Sequence, residues 1–178
     1  MADNNAFARR IPVSKPYLTT RMHALRISPS NFTQFMTEST VYGVVVDMPM
    51  SASVITTLVA YVNGAANLYF SNGTDYSGAA QRYPGVVQAA RALVVNAAKM
   101  ITDDMPKATT LELPSGRYHY AYILTTGGIY RFALDHSAAN IDPQERGLIN
   151  LYQRLMGELR LAQMKDRKEG VDPMKIAD

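Results

Sequence analysis

The sequence predicts an α+β fold in which one antiparallel sheet of five or six strands carries two long helices packed on it. Three observations lead there. Short β-branched and aromatic segments recur at residues 41–48, 55–63, 67–71, 117–124 and 129–134. Two long stretches, 84–101 and 143–162, place their apolar residues on one stripe at helical spacing. Each long stretch follows two short strands joined by a glycine-containing turn, so 56–101 and 116–162 read as the same hairpin-then-helix unit.

The echo has a definite register. Ala60, Tyr61 and Val62 lead to Leu68 and Tyr69 through Asn63, Gly64 and Ala65. Sixty-one positions later, Ala121, Tyr122 and Ile123 lead to Ile129 and Tyr130 through Thr125, Thr126, Gly127 and Gly128. The pattern predicts that Tyr61 and Tyr69 occupy places equivalent to Tyr122 and Tyr130.

In chain order, residues 1–27 read as a flexible basic arm. Pro12 and Pro16 interrupt it and no period is sustained. Ser28 and Pro29 are a cap and a first helical residue, with Phe32, Phe35 and Met36 at helical spacing, so a short helix is expected over 28–37. Residues 41–48 are apolar on both faces, which predicts a strand covered on both sides, and Pro49 ends it because it cannot donate a ladder hydrogen bond. The connector 72–83 is rich in Gly, Ser and Asn, with a helical turn expected over 77–82. Pro84 opens the first long helix, whose stripe is Val86, Ala90, Leu93, Val94, Ala97 and Ile101. Residues 109–113 are compatible with a short strand. Asp142, Pro143 and Glu145 form a capping sequence for the last helix, with Leu148, Leu151, Tyr152, Leu155, Leu159 and Ala162 as its stripe. Residues 28–164 therefore form one α+β domain, and 165–178 a charged tail.

Composition narrows the function classes. At 178 residues with an ordinary apolar fraction, the chain is long enough for one well-buried core. It contains no cysteine, which excludes disulfides, thiolate metal sites and a cysteine nucleophile. No apolar run approaches the roughly 20 residues of a membrane span. Its polar start lacks a signal-peptide core, so a cytoplasmic location is expected. The net charge is only +3, but residues 1–30 hold five basic side chains (Arg9, Arg10, Lys15, Arg21, Arg26) against one acid, Asp3. Such an arm can seek phosphates, although charges spread this thinly more often solvate a tail.

No catalytic motif stands out. His119 and His136 are 17 residues apart with no ligand-spaced partner beside either. Asp135, His136 and Ser137 include the three residue types of a nucleophilic triad, but adjacent residues cannot stack in the relay geometry, so a turn is expected. The glycine pairs match no phosphate-binding loop and fit hairpin turns. No cofactor or metal site is expected.

The unusual feature is aromatic: eleven tyrosines stand against five phenylalanines and no tryptophan. Tyr118, Tyr120 and Tyr122 alternate along one strand and so share a sheet face, with Tyr130 beside them on the partner strand. A row of this kind suits a protein interface, because tyrosine joins apolar area to a polar tip. It can also stack bases, or be a half-buried sheet face with wet hydroxyls.

The order of elements resembles the roadblock (dynein light-chain type) domain, one of the profilin-like sandwiches. The resemblance rests on the run Val41-Tyr42-Gly43-Val44-Val45-Val46-Asp47 as first strand and on the turn and strand over 64–73. The alanine-rich helix over 84–101, and the strand 129–134 running into 137–140 before the last helix, complete it. It implies a homodimeric, non-enzymatic platform for partner proteins, small GTPases among them. The leading expectation is therefore a self-associating interaction module, with Tyr118, Tyr120, Tyr122 and Tyr130 as interface candidates. The alternative is a small-molecule-binding domain or enzyme with a pocket between the sheet and the 72–83 loop, using Asp75, Tyr76, Arg82 and His119. Nucleic-acid binding through the basic arm and the tyrosines is the third.

Overall fold

The strand at the centre of the sheet, β1 (Val41–Pro49), is buried along almost its whole length, as its apolar residues on both faces predict. The computed structural model describes residues 11–36 and 39–170. Antiparallel to β1 on one side run β2 (Ile55–Tyr61), β3 (Ala66–Phe70) and the two-residue β4 (Asp75–Tyr76). On its other side run β5 (His119–Thr125) and β6 (Gly128–Leu134), so six antiparallel strands lie in the order β4-β3-β2-β1-β5-β6. The α+β class and the six-stranded antiparallel sheet are as expected.

Among the described residues, three α-helices cover the two faces. The first, α1 (Lys15–Leu25), starts at Ser14, whose hydroxyl accepts the Tyr17 N–H. It is followed by a 3₁₀ turn, Pro29–Phe35, capped by Ser28. The remaining two, α2 (Pro84–Ala97) and α3 (Pro143–Lys168), pack together on the opposite face. Asp142 caps α3 by accepting the N–H groups of Gln144 and Glu145. The apolar stripes end up where their spacing put them: Val86, Ala90, Leu93, Val94 and Ala97 of α2 face Leu148, Tyr152, Leu155, Leu159 and Ala162 of α3 in one core with Val44, Val46, Ala121 and Ile123 of the sheet. A second core on the reverse face joins Leu25 and Phe32 to Val45, Val59, Tyr61, Tyr122 and Leu124.

Four expectations are corrected. The stretch expected as a flexible arm over 1–27 holds a helix in its described part: residues Lys15–Leu25 are helical, because Tyr17, Arg21, Ala24 and Leu25 bury one side against the sheet. The expected helix over 28–37 is a 3₁₀ turn from Pro29 to Phe35, and Thr37 lies outside the described residues. Residues 109–113 join no ladder; the carbonyls of Leu111 and Glu112 are taken instead by the Arg21 guanidinium. The stretch expected to be a tail from residue 165 is helical at its start, since α3 continues to Lys168 and buries Asp166; residues 171–178 lie outside the described residues.

The hairpin echo is not one of register. Tyr69 pairs with Thr57 in β2, but Tyr130 pairs with Ile123 in β5. Translating the first hairpin onto the second would pair Tyr130 with Tyr118, an offset of five residues from what is found. An odd offset exchanges the sheet faces. Tyr69 therefore packs against the α1 core, while Tyr130 belongs to the face that α2 and α3 cover. The first turn needs its glycine: at Gly64 (φ +93°) an added Cβ would stand 2.5 Å from Val87 of α2, so backbone and helix meet there.

Candidate functional site

Strand β5 presents its tyrosines by simple alternation. Tyr120 and Tyr122 point into the α1 side of the sheet, whereas His119, Ala121 and Ile123 point to the other side. Their exposures then diverge. Tyr122 is fully buried and its hydroxyl donates to the Glu112 carbonyl; Tyr120 is half-buried; Tyr118, just ahead of the strand, is 42% exposed. Each of the two accessible rings has an arginine over it. The Arg131 guanidinium lies 4.9 Å from the centre of the Tyr120 ring, and that of Arg117 lies 6.0 Å from Tyr118. Ion pairs hold both arginines, Arg131 to Glu112 at 2.5 Å and Arg117 to Asp135 at 2.7 Å. Tyr130 is not part of this row, for the register reason above.

Beside the row lies β6, the longer of the two edge strands. Its even-numbered residues bond to β5, since the ladder closes at Thr125 and Gly128 across a two-residue turn. The odd-numbered residues Ile129, Arg131 and Ala133 therefore aim their backbone groups outward. The Ile129 carbonyl accepts the Ala108 N–H at 2.7 Å. Among the described residues nothing bonds to the outward backbone of Arg131 or Ala133, and both residues are exposed.

The expected pocket residues do not line one site. Asp75 is exposed at the opposite sheet edge. Tyr76 and Arg82 do meet, on a carboxylate that sequence reasoning assigned to the tail. The Asp166 Oδ2 accepts from the Tyr76 hydroxyl at 2.6 Å and from Arg82 Nη2 at 2.5 Å, and Oδ1 accepts from the Tyr83 hydroxyl at 2.5 Å. Burial by itself would raise the Asp166 pKa, but the hydrogen bonds from Arg82, Tyr76 and Tyr83 outweigh it and leave it below the usual carboxylate value. With Tyr76 and Ala79 wholly buried, the 72–83 loop is pinned to the sheet and to α3. A spacing signal existed: Leu155, Leu159, Ala162 and Asp166 follow one another at helical intervals of four, three and four.

His119 lies across the sheet, four strand spacings from Tyr76, or about 19 Å. Its Nδ1 shares a 2.7 Å hydrogen bond with the Tyr152 hydroxyl of α3, and its ring stacks on His136 with centroids 4.0 Å apart. Burial, aided by the neighbouring His136, pushes the His119 pKa down to about 4, so the ring is neutral. Among the described residues there is no group of three His, Cys, Asp or Glu side chains placed to hold a metal ion. Asp135 and Ser137 form a turn, with the Ser137 Oγ donating to Asp135 at 2.8 Å.

Arg21, counted among the arm's phosphate seekers, is committed elsewhere. It forms a buried fork with Asp47 of β1, and the Thr57 hydroxyl completes the carboxylate at 2.7 Å. Arg9 and Arg10 lie outside the described residues. Among the described residues no helix is long and apolar enough to cross a membrane. No protein-family model, curated protein or solved structure matches this chain.

Proposed function

We propose that this chain is a non-enzymatic interaction module that self-associates, using the accessible end of the β5–β6 hairpin. The observation that carries the reading is the pairing of Tyr118 with Arg117 and of Tyr120 with Arg131 beside an open sheet edge. Tyrosine and arginine dominate the energetics of protein interfaces, because each combines a large flat contact area with hydrogen-bonding tips. The cations already stacked on the rings keep those side chains in place, which lowers the entropy lost on association. The outline resemblance to roadblock domains points the same way, to a homodimer that carries a partner protein such as a small GTPase in the cytoplasm.

The small-molecule reading has less to stand on. The 72–83 loop is packed against the sheet. A cleft between the end of α2 and the start of α3, lined by Lys99, Met100, Gln144, Leu148 and Leu151 among others, encloses about 150 Å³. That is below the roughly 300–1,000 Å³ of usual ligand sites.

The test is the solution mass of the full chain, by size-exclusion chromatography with light scattering, beside Tyr118→Ser/Tyr120→Ser. Both replaced rings are accessible, so the variant keeps its fold, unlike one at the buried Tyr122. The expected result is a wild-type species of twice 19.6 kDa that the double variant loses. A wild-type monomer at every concentration tested would refute self-association.

A further inference from the structure

The outward side of α3 carries a stripe of its own. Gly147, Asn150, Arg154, Gly157, Leu161 and Met164 follow one another at alternating steps of three and four, and all six are exposed, Leu161 and Met164 by more than half. This is the spacing of a helix that packs against another helix. Glycine is less stable than alanine inside a helix, yet a Cβ added at Gly147 or Gly157 would meet nothing within 4 Å. Packing among the described residues therefore calls for neither glycine, whereas close approach of a helix from outside calls for both.

We propose that two copies pack antiparallel through α3, about a two-fold axis level with the peptide between Leu155 and Met156, each laying Leu161 and Met164 over the small residues of the other. The contact lies on the opposite side of the sheet from Tyr120 and Tyr122, so it goes beyond the hairpin reading above and does not rest on it.

The stripe is self-complementary in one direction and register. With the axis there, Met164 of one copy faces Gly147 of the other, Leu161 faces Asn150, and Arg154 crosses Gly157. The large residues lie in one half of the stripe and the first glycine in the other half, as an isologous antiparallel contact requires. Leu161 and Met164 then cover the cleft of about 150 Å³ that Gly147, Leu148 and Leu151 share with Met100. A parallel pair would set Arg154 on Arg154 and leave that cleft open. Sliding the antiparallel pair by one heptad is the next arrangement that keeps the stripes interlocked. Slid one way, it sets Glu158 on Glu158 and Arg160 on Arg160 at the axis. Slid the other way, it wastes Gly147 on Gly157 and carries Met164 past the start of the facing helix.

Charge agrees at the centre and limits affinity at the ends. Arg154 and Glu158 have no ion-pair partner among the described residues, and the axis brings Arg154 of each copy beside Glu158 of the other. On the outer flank, the exposed Arg146 meets the exposed Arg167. A single helix seam is also smaller than a standard interface, so the contact is weaker than about micromolar order and adds to the hairpin contact only at high concentration.

The chain has no cysteine, so introduced thiols report the register. Full-length Gly147→Cys and Met164→Cys are made in the Tyr118→Ser/Tyr120→Ser background, which removes the hairpin contact, and are checked for fold by circular dichroism. They are then oxidised at high concentration, separately and as a mixture. The mixture should form a disulfide-linked dimer at least tenfold faster than either variant alone, because like positions of the two copies lie at opposite ends of the seam. Adding Leu161→Asp to both should remove that advantage. In the same background without cysteines, Arg146→Glu should tighten self-association several-fold by light scattering, since it turns the like-charged flank into ion pairs. Equal rates for the mixture and the single variants, or no tightening by Arg146→Glu, would overturn the α3 seam. The hairpin contact stands or falls separately, on whether Tyr118→Ser/Tyr120→Ser loses the dimer formed at low concentration.

Discussion

The guanidinium of Arg21 forks onto the carboxylate of Asp47, with Nε 3.1 Å from both oxygens and Nη2 2.6 Å from Oδ2, and neither residue is more than 2% exposed. One lies in α1 and the other in the central strand, 26 residues apart. The remaining donors of Arg21 reach the carbonyls of Leu111 and Glu112, and Thr57 links Asp47 to the Tyr17 hydroxyl at 2.6 Å. Every polar group in the cluster has a partner, which a buried charge requires. One side chain thus fastens both α1 and the 111–112 crossing to the sheet.

Removing one member of this pair strands the other. Asp47→Ala is expected to destabilise the fold by about 3–5 kcal/mol, because Arg21 is left buried without a counter-charge. Replacing both, Arg21→Met with Asp47→Leu, should cost much less than the sum of the single changes. Urea unfolding of the four proteins checks this. Equal, additive losses would mean that the pair does not act as a unit.

His119 makes stability depend on pH in a defined direction. Its folded pKa is about 4 against an ordinary value of 6.5, so between those limits the unfolded chain binds a proton that the folded chain does not. The contribution is complete above pH 6.5, fades as pH falls toward 4, and changes no further below that. The shift corresponds to roughly 3 kcal/mol. His119→Phe removes this dependence while also leaving the Tyr152 hydroxyl short of its partner. Its unfolding free energy, followed from about pH 7 to about pH 4, should fall less steeply than that of wild type; identical slopes would show that His119 is not the group responsible.

The Asp166 cluster should behave as the clasp of the 72–83 loop. Asp166→Ala leaves the wholly buried Tyr76 hydroxyl without an acceptor and releases Arg82 and Tyr83, at a cost of about 2 kcal/mol. The loss should be local. Hydrogen exchange of residues 74–83 and of the last turns of α3 is expected to speed up, while β1 and β5 stay protected. Because the folded pKa of Asp166 is lowered, its contribution is present above the unfolded carboxylate value and is lost as acid protonates the folded form. Uniform acceleration across the chain would contradict the clasp.

Much of this was readable from residue order alone, because it follows from local periodicity. The stripes of α2 and α3, the doubly covered strand β1 and the two hairpins require only that apolar residues share a face. So does the division of Tyr120 and Tyr122 from His119, which alternation along one strand dictates. The Asp142 cap is legible because its partners lie two and three residues away.

Tertiary structure decided what depends on partners distant in sequence. Lys15–Leu25 has an uneven apolar pattern and two flanking prolines, and it becomes a helix with a buried arginine only because Asp47 awaits it on β1. Asp166 looked like part of a solvated charge run until Tyr76 and Arg82, more than 80 positions earlier, supplied its hydrogen bonds. Tyr130 changed faces because hairpin register is set by turn length and packing, and composition is the same on either side of a one-residue slip. Periodicity determines which residues of an element stay together. Which elements meet, and which charges are thereby neutralised, is set by long-range contacts whose energy exists only once the chain has folded.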